Sequence, residues 1–198
     1  MAPLWLGAGL LIIALILYLW RARRTGIKGE KARNKHFERL AKELNFRYVT
    51  DDYFVQLEGS RNNRRIIVYP HNFEGPGFIT LLYLESALTA KDRNWIEPNL
   101  SLGRAIVEWK RKAFFNSEIT GSELSRENLI ETLNSLNQSY PYIAVTPPWR
   151  YSYSPLLQMA LSTWKNYAVF LAMDAGRHPA SEQIEQAIRY AEKIAVHL

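Results

Sequence analysis

Residues 78–84 read Phe-Ile-Thr-Leu-Leu-Tyr-Leu, a nearly continuous apolar run with the length of one β-strand. The cluster Gly75-Pro76-Gly77 breaks the chain just before it. A strand with one face in water alternates apolar and polar residues, whereas a strand that is covered on both faces is apolar throughout. The run therefore predicts a central strand, buried on both faces, with other elements arranged around it.

The residues before this run predict a β-hairpin. Tyr, Val and Leu alternate with Phe, Gln and Glu over residues 53–58, and residues 66–69 read Ile-Ile-Val-Tyr, a composition typical of strands. Residues 59–63, Gly-Ser-Arg-Asn-Asn, lie between the two runs and supply turn-forming side chains. We expect the two strands to pair and to lead into the central strand.

The rest of the chain predicts further strands and four helices. Alternation over 104–110 predicts a strand that pairs with 78–84, and shorter apolar runs predict strands over 142–145 and 167–173. Helical spacing of apolar residues predicts helices over 31–44, 129–136, 155–164 and 184–198. Ser154, just before Pro155, is the predicted N-cap of the third of these helices. Grouped strands flanked by helices are typical of an α+β domain with a mostly antiparallel sheet. Parallel pairing of the last strands is an alternative.

A second apolar run lies at the N-terminus, where residues 2–20 carry no charge. Aromatic residues suited to the two headgroup layers stand at its ends: Trp5, Tyr18 and Trp20. Over 3–20 a helix rises roughly 27 Å, close to a hydrocarbon core of about 30 Å. A cleaved signal peptide would begin with basic residues and end in small ones, and this run does neither. The sequence predicts a single transmembrane helix over 1–20.

Positive charge is concentrated directly after this run. The chain has a formal charge of +6, yet residues 21–47 contain ten Lys and Arg against three Asp and Glu, which gives +7. Residues 48–198 contain fifteen against sixteen, which gives −1. A nucleic-acid-binding domain would concentrate positive charge in its folded body, so we expect no nucleic-acid partner.

The basic segment predicts both orientation and a lipid contact. Lys and Arg that flank a span stay in the cytoplasm, which places the N-terminus outside and the rest of the chain inside. Cations near an anionic lipid surface stabilise binding by about 1 kcal/mol each. The predicted headgroup contacts are Arg21, Arg23, Arg24 and Lys28. The alternative is that these residues only set the topology.

The predicted organisation has three parts. Residues 1–20 form the transmembrane helix, 21–47 a basic juxtamembrane segment with an amphipathic helix, and 48–198 one cytoplasmic α+β domain at the inner membrane. The chain contains no cysteine, which agrees with a cytoplasmic domain and excludes disulfides and thiolate chemistry.

Signatures of catalysis are weak in this sequence. Gly75-Pro76-Gly77 lacks the lysine and the helix start of a phosphate-binding loop, and the four histidines show no ligand spacing. His71, with Glu74 three residues on, is the one conceivable general base, although polar residues at strand ends are usually structural. We expect no cofactor, no metal and no enzymatic activity. No motif is specific to a known family.

Aromatic residues in a predicted loop provide the strongest functional signal. Residues 147–153 read Pro-Pro-Trp-Arg-Tyr-Ser-Tyr, and Trp, Tyr and Arg are the residues most enriched at binding hot spots. The predicted partner-binding residues are Trp149, Arg150, Tyr151 and Tyr153. A second patch combines residues 110–112, Lys-Arg-Lys, with Phe114 and Phe115. The alternative is that these rings cover the end of the core.

Two functions follow. The first is a membrane-anchored accessory or assembly subunit that docks on other membrane-protein subunits through its cytoplasmic domain. The second is a membrane-tethered domain that binds a lipid or a small metabolite, with or without catalysis, and it requires a pocket.

Overall fold

The computed structural model describes residues 4–51, 54–73, 77–90, 95–97, 127–136, 139–176 and 178–198. Contacts divide the chain into two units, Met1–His36 and Phe37–Leu198. The helices are α1 (Leu4–Leu44), α2 (Glu127–Leu136), α3 (Pro155–Ser162) and α4 (Ser181–Ala195), with a 3₁₀ turn at Pro148–Tyr151. The strands are β1 (Arg47–Thr50), β2 (Val55–Arg61), β3 (Arg64–Phe73), β4 (Gly77–Thr89), β5 (Tyr142–Thr146) and β6 (Asn166–Met173).

The six strands form one sheet in the order β1-β2-β3-β4-β6-β5, and every neighbouring pair is antiparallel. This confirms the predicted α+β class and excludes parallel pairing between β5 and β6. The central position predicted for 78–84 is also confirmed, because β4 is hydrogen-bonded to β3 on one side and to β6 on the other. The strand predicted over 104–110 lies outside the described residues.

Alternate residues of β3, β4, β5 and β6 point into two separate hydrophobic cores on opposite faces of the sheet. In β4, Leu82 and Leu84 point into the first core, whereas Leu81 and Tyr83 point into the second. The first core packs against α2, α4 and the last two turns of α1. The second core packs against α3 and the aromatic residues beside the 3₁₀ turn. The sheet is therefore covered on both faces, as the apolar composition of β4 requires.

The predicted transmembrane helix is not a separate element. Helix α1 continues without a break from Leu4 to Leu44, through the predicted border at residue 20 and into the basic segment. Within the part of the chain that is described, no helix combines the length and the apolar character needed to cross a membrane. The expectation of a transmembrane helix is therefore unsupported by the structure.

Helix α1 ends in a Schellman motif that delivers the chain to β1. Asn45 adopts a left-handed conformation with φ of 55°, which asparagine tolerates well. The Phe46 N–H donates to the Ala41 carbonyl oxygen at 2.8 Å, the bond that defines this motif. Phe46 then packs against the first core, so the cap and the core stabilise the same turn.

The predicted hairpin is confirmed, but its turn is shorter than expected. Gly59 to Arg61 belong to β2, and only Asn62 and Asn63 form the turn, with φ of 51° and 59°. Positive φ at both positions is typical of a type I′ turn, which matches the twist of paired strands. Arg61 donates two hydrogen bonds of 2.7 Å to Glu185, which attaches the hairpin to α4.

Arg65 joins two neighbouring strands of the sheet to the end of α3. Arg65 of β3 donates to both carboxylate oxygens of Glu85, at 2.6 and 2.9 Å, and to the Thr163 hydroxyl at 2.8 Å. The guanidinium also lies 5.3 Å from the Trp164 ring centroid. At the other end of α3, the Ser154 hydroxyl accepts from the Leu157 N–H at 3.1 Å, which confirms the predicted N-cap before Pro155.

We expect Gly59→Ala to lower the free energy of unfolding by about 2 kcal/mol, because a Cβ at Gly59 would overlap the Phe46 ring. Chemical denaturation measures this change, and Ser60→Ala, an exposed position in the same strand, is the matched control. Equal stability of the two variants would contradict the tight packing of Phe46 on Gly59.

Candidate functional site

The predicted partner-binding residues lie on and just after the 3₁₀ turn that follows β5. Pro147 and Pro148 are buried at its start, and the Arg150 N–H donates to the Pro147 carbonyl oxygen at 3.1 Å. Trp149 is 48% exposed. Proline restricts the backbone at both positions, so the direction in which the turn presents Trp149 is fixed locally.

The carboxylate of Glu97 joins the side chains of this turn. Oε1 accepts from Arg150 Nη2 at 2.9 Å. Oε2 accepts from Tyr142 Oη at 3.2 Å and forms a short hydrogen bond with the Tyr151 hydroxyl. The two tyrosine hydroxyls are themselves 2.9 Å apart. We call Glu97, Tyr142, Arg150 and Tyr151 the Glu97 cluster.

The segment that carries Glu97 is attached to the edge of the sheet. The Ile96 N–H donates to the Val145 carbonyl oxygen, and the Val145 N–H donates back to Ile96, both at 2.8 Å. Ile96 is fully buried in the first core. Backbone pairing and apolar burial therefore bring Glu97 to the tyrosines.

Neighbouring aromatic rings pack against two members of the Glu97 cluster, Arg150 and Tyr151. The Arg150 guanidinium lies 3.9 Å from the Trp95 ring centroid, a close cation–π contact. The Tyr151 ring stacks on Phe170 at 5.0 Å, and Tyr83 donates a 2.7 Å hydrogen bond to the Tyr151 carbonyl oxygen. Tyr151 is consequently held by its ring, its hydroxyl and its backbone.

The pKa values of the tyrosines in and beside the Glu97 cluster are raised. Burial raises the pKa of Tyr142, and its hydrogen bond to Tyr151 and the charge of Glu97 raise it further. Burial and the hydrogen bond to Glu97 likewise raise the pKa of Tyr151. Burial also raises the pKa values of Tyr83 and Tyr153. All four hydroxyls stay protonated at neutral pH, and those of Tyr83, Tyr142 and Tyr151 donate hydrogen bonds.

The structure brings the four predicted residues together but gives them different surroundings. Trp149 presents its ring to solvent, whereas Arg150 and Tyr151 contact Glu97. The Tyr153 ring lies 4.6 Å from His71. Their role in partner binding stays a prediction.

Sequence reasoning did not single out Glu97. Its partners Tyr142, Arg150 and Tyr151 follow it by 45, 53 and 54 positions. A lone glutamate before a proline carries no local signal of such contacts. Ile96 beside it is an apolar residue in a polar stretch, and that was the one available indication of pairing.

His71, the conceivable general base, packs between aromatic side chains. His71 is half-buried at the end of β3 between Tyr69 and Tyr153, and burial lowers its pKa. Glu74 lies outside the described residues. Among those that are described, no three His, Asp or Glu side chains are grouped as metal ligands.

The residues predicted to contact a membrane are described only in part. Tyr18 is 70% exposed. The remaining side chains lie outside those described: Trp5, Trp20, Arg21, Arg23, Arg24 and Lys28. The patch at 110–115 lies outside the described residues as well.

An open groove of about 450 Å³ lies on the face of the sheet that carries the second core. Its apolar lining includes Val49, Ile67, Met159 and Trp164, and Arg47 and Arg65 are among its charged residues. Met159 is 71% exposed. The groove has the size of a small-ligand site, although it is open to solvent.

Known proteins do not add to this picture, because no family model, curated protein or solved structure matches the chain.

We expect the free energy of unfolding to fall as pH rises above about 10. The unfolded chain loses phenolic protons there, whereas the native state retains them because the pKa values of Tyr83, Tyr142, Tyr151 and Tyr153 are raised. Each such tyrosine contributes a slope of up to about 1.4 kcal/mol per pH unit. Below pH 10 the contribution is complete and constant.

Denaturant titrations at several pH values, with tyrosinate absorbance of the native state, measure this effect. The Tyr142→Phe variant is the control, and its slope is expected to be shallower by one tyrosine. Ionisation of all tyrosines near pH 10 in the folded protein would contradict it.

Proposed function

We propose that this protein is a single-pass membrane-anchored accessory or assembly subunit, which docks on other membrane-protein subunits through its cytoplasmic domain. The observation that carries the proposal is the exposed Trp149, held on a turn whose adjacent side chains are fixed within the domain.

A fixed turn favours docking because binding then orders few groups. Immobilising a flexible side chain on association costs about 0.5–1.5 kcal/mol, and contacts formed beforehand avoid that cost. Arg150 and Tyr151 are already held by Glu97, so a partner would meet a preformed surface with Trp149 at its centre. Large aromatic anchors of this kind dominate binding energies at interfaces.

The Glu97 cluster is better suited to holding the 3₁₀ turn in place than to proton transfer. Both carboxylate oxygens already accept hydrogen bonds from Arg150, Tyr142 or Tyr151. A general base needs an oxygen that faces a substrate proton. This arrangement supports the proposal of a non-enzymatic role.

Support for membrane anchoring comes from the N-terminal sequence. Residues 2–20 are uncharged, and the described side chains within that run, Ile13 to Tyr18, include several large apolar groups that are more than half exposed. The basic residues after position 20 favour a cytoplasmic location for the rest of the chain and contact with anionic lipids. We place the protein in the inner membrane with its N-terminus outside.

The groove supports the second candidate function, a membrane-tethered domain that binds a lipid or a small metabolite. Its apolar residues and the neighbouring Arg47 and Arg65 suit a ligand with an apolar body and an acidic group. Both arginines are already paired, with Glu58 and Glu85 respectively, which weakens their attraction for such a ligand.

We expect Trp149→Ala to reduce association with partner subunits at least tenfold without unfolding the domain, because it removes the exposed anchor and leaves the Glu97 cluster intact. The measurement is extraction of the tagged protein in mild detergent, with sizing and identification of every chain that travels with it. Val196→Ala, which removes another exposed apolar side chain, is the matched control.

A wild-type chain that travels without any other protein would contradict the docking proposal. Binding of a fatty acid by that chain, abolished by Met159→Arg in the groove, would then favour the second candidate.

We expect deletion of residues 2–20 to move the protein from the membrane fraction to the soluble fraction, because the apolar run is the proposed anchor. Fractionation followed by an alkaline wash measures this, and full-length Trp149→Ala is the control that should stay in the membrane fraction. Recovery of the full-length chain in the soluble fraction would overturn the proposed anchor.

A further inference from the structure

Strand β1 forms one end of the six-stranded sheet. The Asp51 N–H donates to the Phe54 carbonyl oxygen at 3.0 Å, which makes Asp51 part of a hydrogen-bonded pair between β1 and β2. Hydrogen-bonded positions alternate along an antiparallel ladder. Arg47 and Val49 therefore point their backbone groups toward β2, whereas Tyr48 and Thr50 point theirs away from the sheet.

The opposite edge of the sheet, at β5, is blocked against pairing with a further strand. There, β5 exchanges backbone hydrogen bonds with Ile96, and prolines at positions 141, 147 and 148 flank the strand. Proline and extra pairing are common ways to block an exposed edge. Within the described residues, β1 has β2 as its single neighbouring strand.

We propose that β1 pairs with β1 of a second copy of this chain, antiparallel and about a twofold axis that passes beside Val49. This register places Tyr48 opposite Thr50 of the second copy, so the two outward-pointing residues of each strand meet. Such pairs exchange both N–H···O bonds. Moving the register by two residues in either direction would leave part of each edge unpaired or extend pairing beyond the strand.

The side chains are complementary in the same register. Arg47 lies opposite Asp51 of the second copy, an opposite-charge pair that the twofold axis repeats. Asp51 Oδ1 also accepts a 2.7 Å hydrogen bond from the Phe54 N–H of its own chain, so the carboxylate would serve both contacts. Arg47 is exposed and contacts Glu58 on its own strand pair, so it can share its guanidinium with both carboxylates. Val49 meets Val49 of the second copy at a non-hydrogen-bonded position, where β-branched side chains approach closely.

Self-complementarity favours a second copy over a foreign peptide. A foreign strand would need an acidic residue placed to meet Arg47 and a basic one placed to meet Asp51, whereas a second copy supplies both. The strand has four residues, so the interface is small and we expect a dissociation constant weaker than about 10 μM. The edge of β1 is a different surface from the turn that carries Trp149, and its pairing does not depend on the proposed function.

The absence of cysteine from the chain allows a test by cross-linking of the full-length protein. In the proposed register the two Val49 Cα atoms lie about 4.5 Å apart, within reach of a disulfide. The two Arg47 Cα atoms are offset by four residues, about 14 Å, which is too far. We expect Val49→Cys to form disulfide-linked dimers at least tenfold faster than Arg47→Cys under the same mild oxidation.

A mixture tests the register itself. Arg47→Cys and Asp51→Cys chains should cross-link with each other, because those positions face one another across the axis. Equal rates for Val49→Cys and Arg47→Cys, or no dimer with Val49→Cys, would overturn the proposal. A monomeric wild-type chain whose Tyr48 and Thr50 amides exchange slowly would overturn it too, since that result would show the edge covered by other means.

Discussion

The burial of β4 on both faces is the constraint on which the rest of the structure depends. Successive side chains of β4 point alternately into the two cores, and both edges of the strand are hydrogen-bonded to neighbouring strands. A sheet built on such a strand needs cover on each face. Helices α2 and α4 and the end of α1 cover one face, whereas α3 and the aromatic turn cover the other. The aromatic turn is therefore part of the core as well as part of the surface.

Charged groups hold these covering elements in position at the margins of the cores. Arg61 attaches the β2–β3 turn to α4 through Glu185, and Glu97 attaches the chain beside β5 to the 3₁₀ turn through Arg150. Arg65 pairs with Glu85 of the neighbouring strand and attaches the end of α3 by its hydrogen bond to Thr163. Each guanidinium or carboxylate makes several hydrogen bonds, which partly offsets the cost of removing it from water. These contacts lie at different junctions, so each of the three side chains fixes a different element relative to the sheet.

Periodicity in the sequence was sufficient to predict most elements and the α+β class. The apolar run at 78–84 identified the central strand, and the Ser154-Pro155 pair located the start of α3, because both signals are local. The strand order, the fit of Phe46 on Gly59 and the ion pair of Arg65 with Glu85 were not predictable, since each depends on residues far apart in the sequence. The transmembrane helix was predicted from hydropathy, and the structure shows a helix that continues to Leu44 instead.

The contrast between local signals and contacts over long sequence separations also applies to the predicted docking residues. Composition marks Trp149, Arg150 and Tyr151 equally, because Trp, Arg and Tyr are all enriched at interfaces. Enrichment cannot tell which side chain already has a partner inside its own domain. Glu97, more than fifty positions before Arg150, engages two of the three and leaves Trp149 as the exposed ring. A surface of this kind supplies one aromatic anchor on a support that is already ordered, and the cost of ordering that support is met during folding instead of during association.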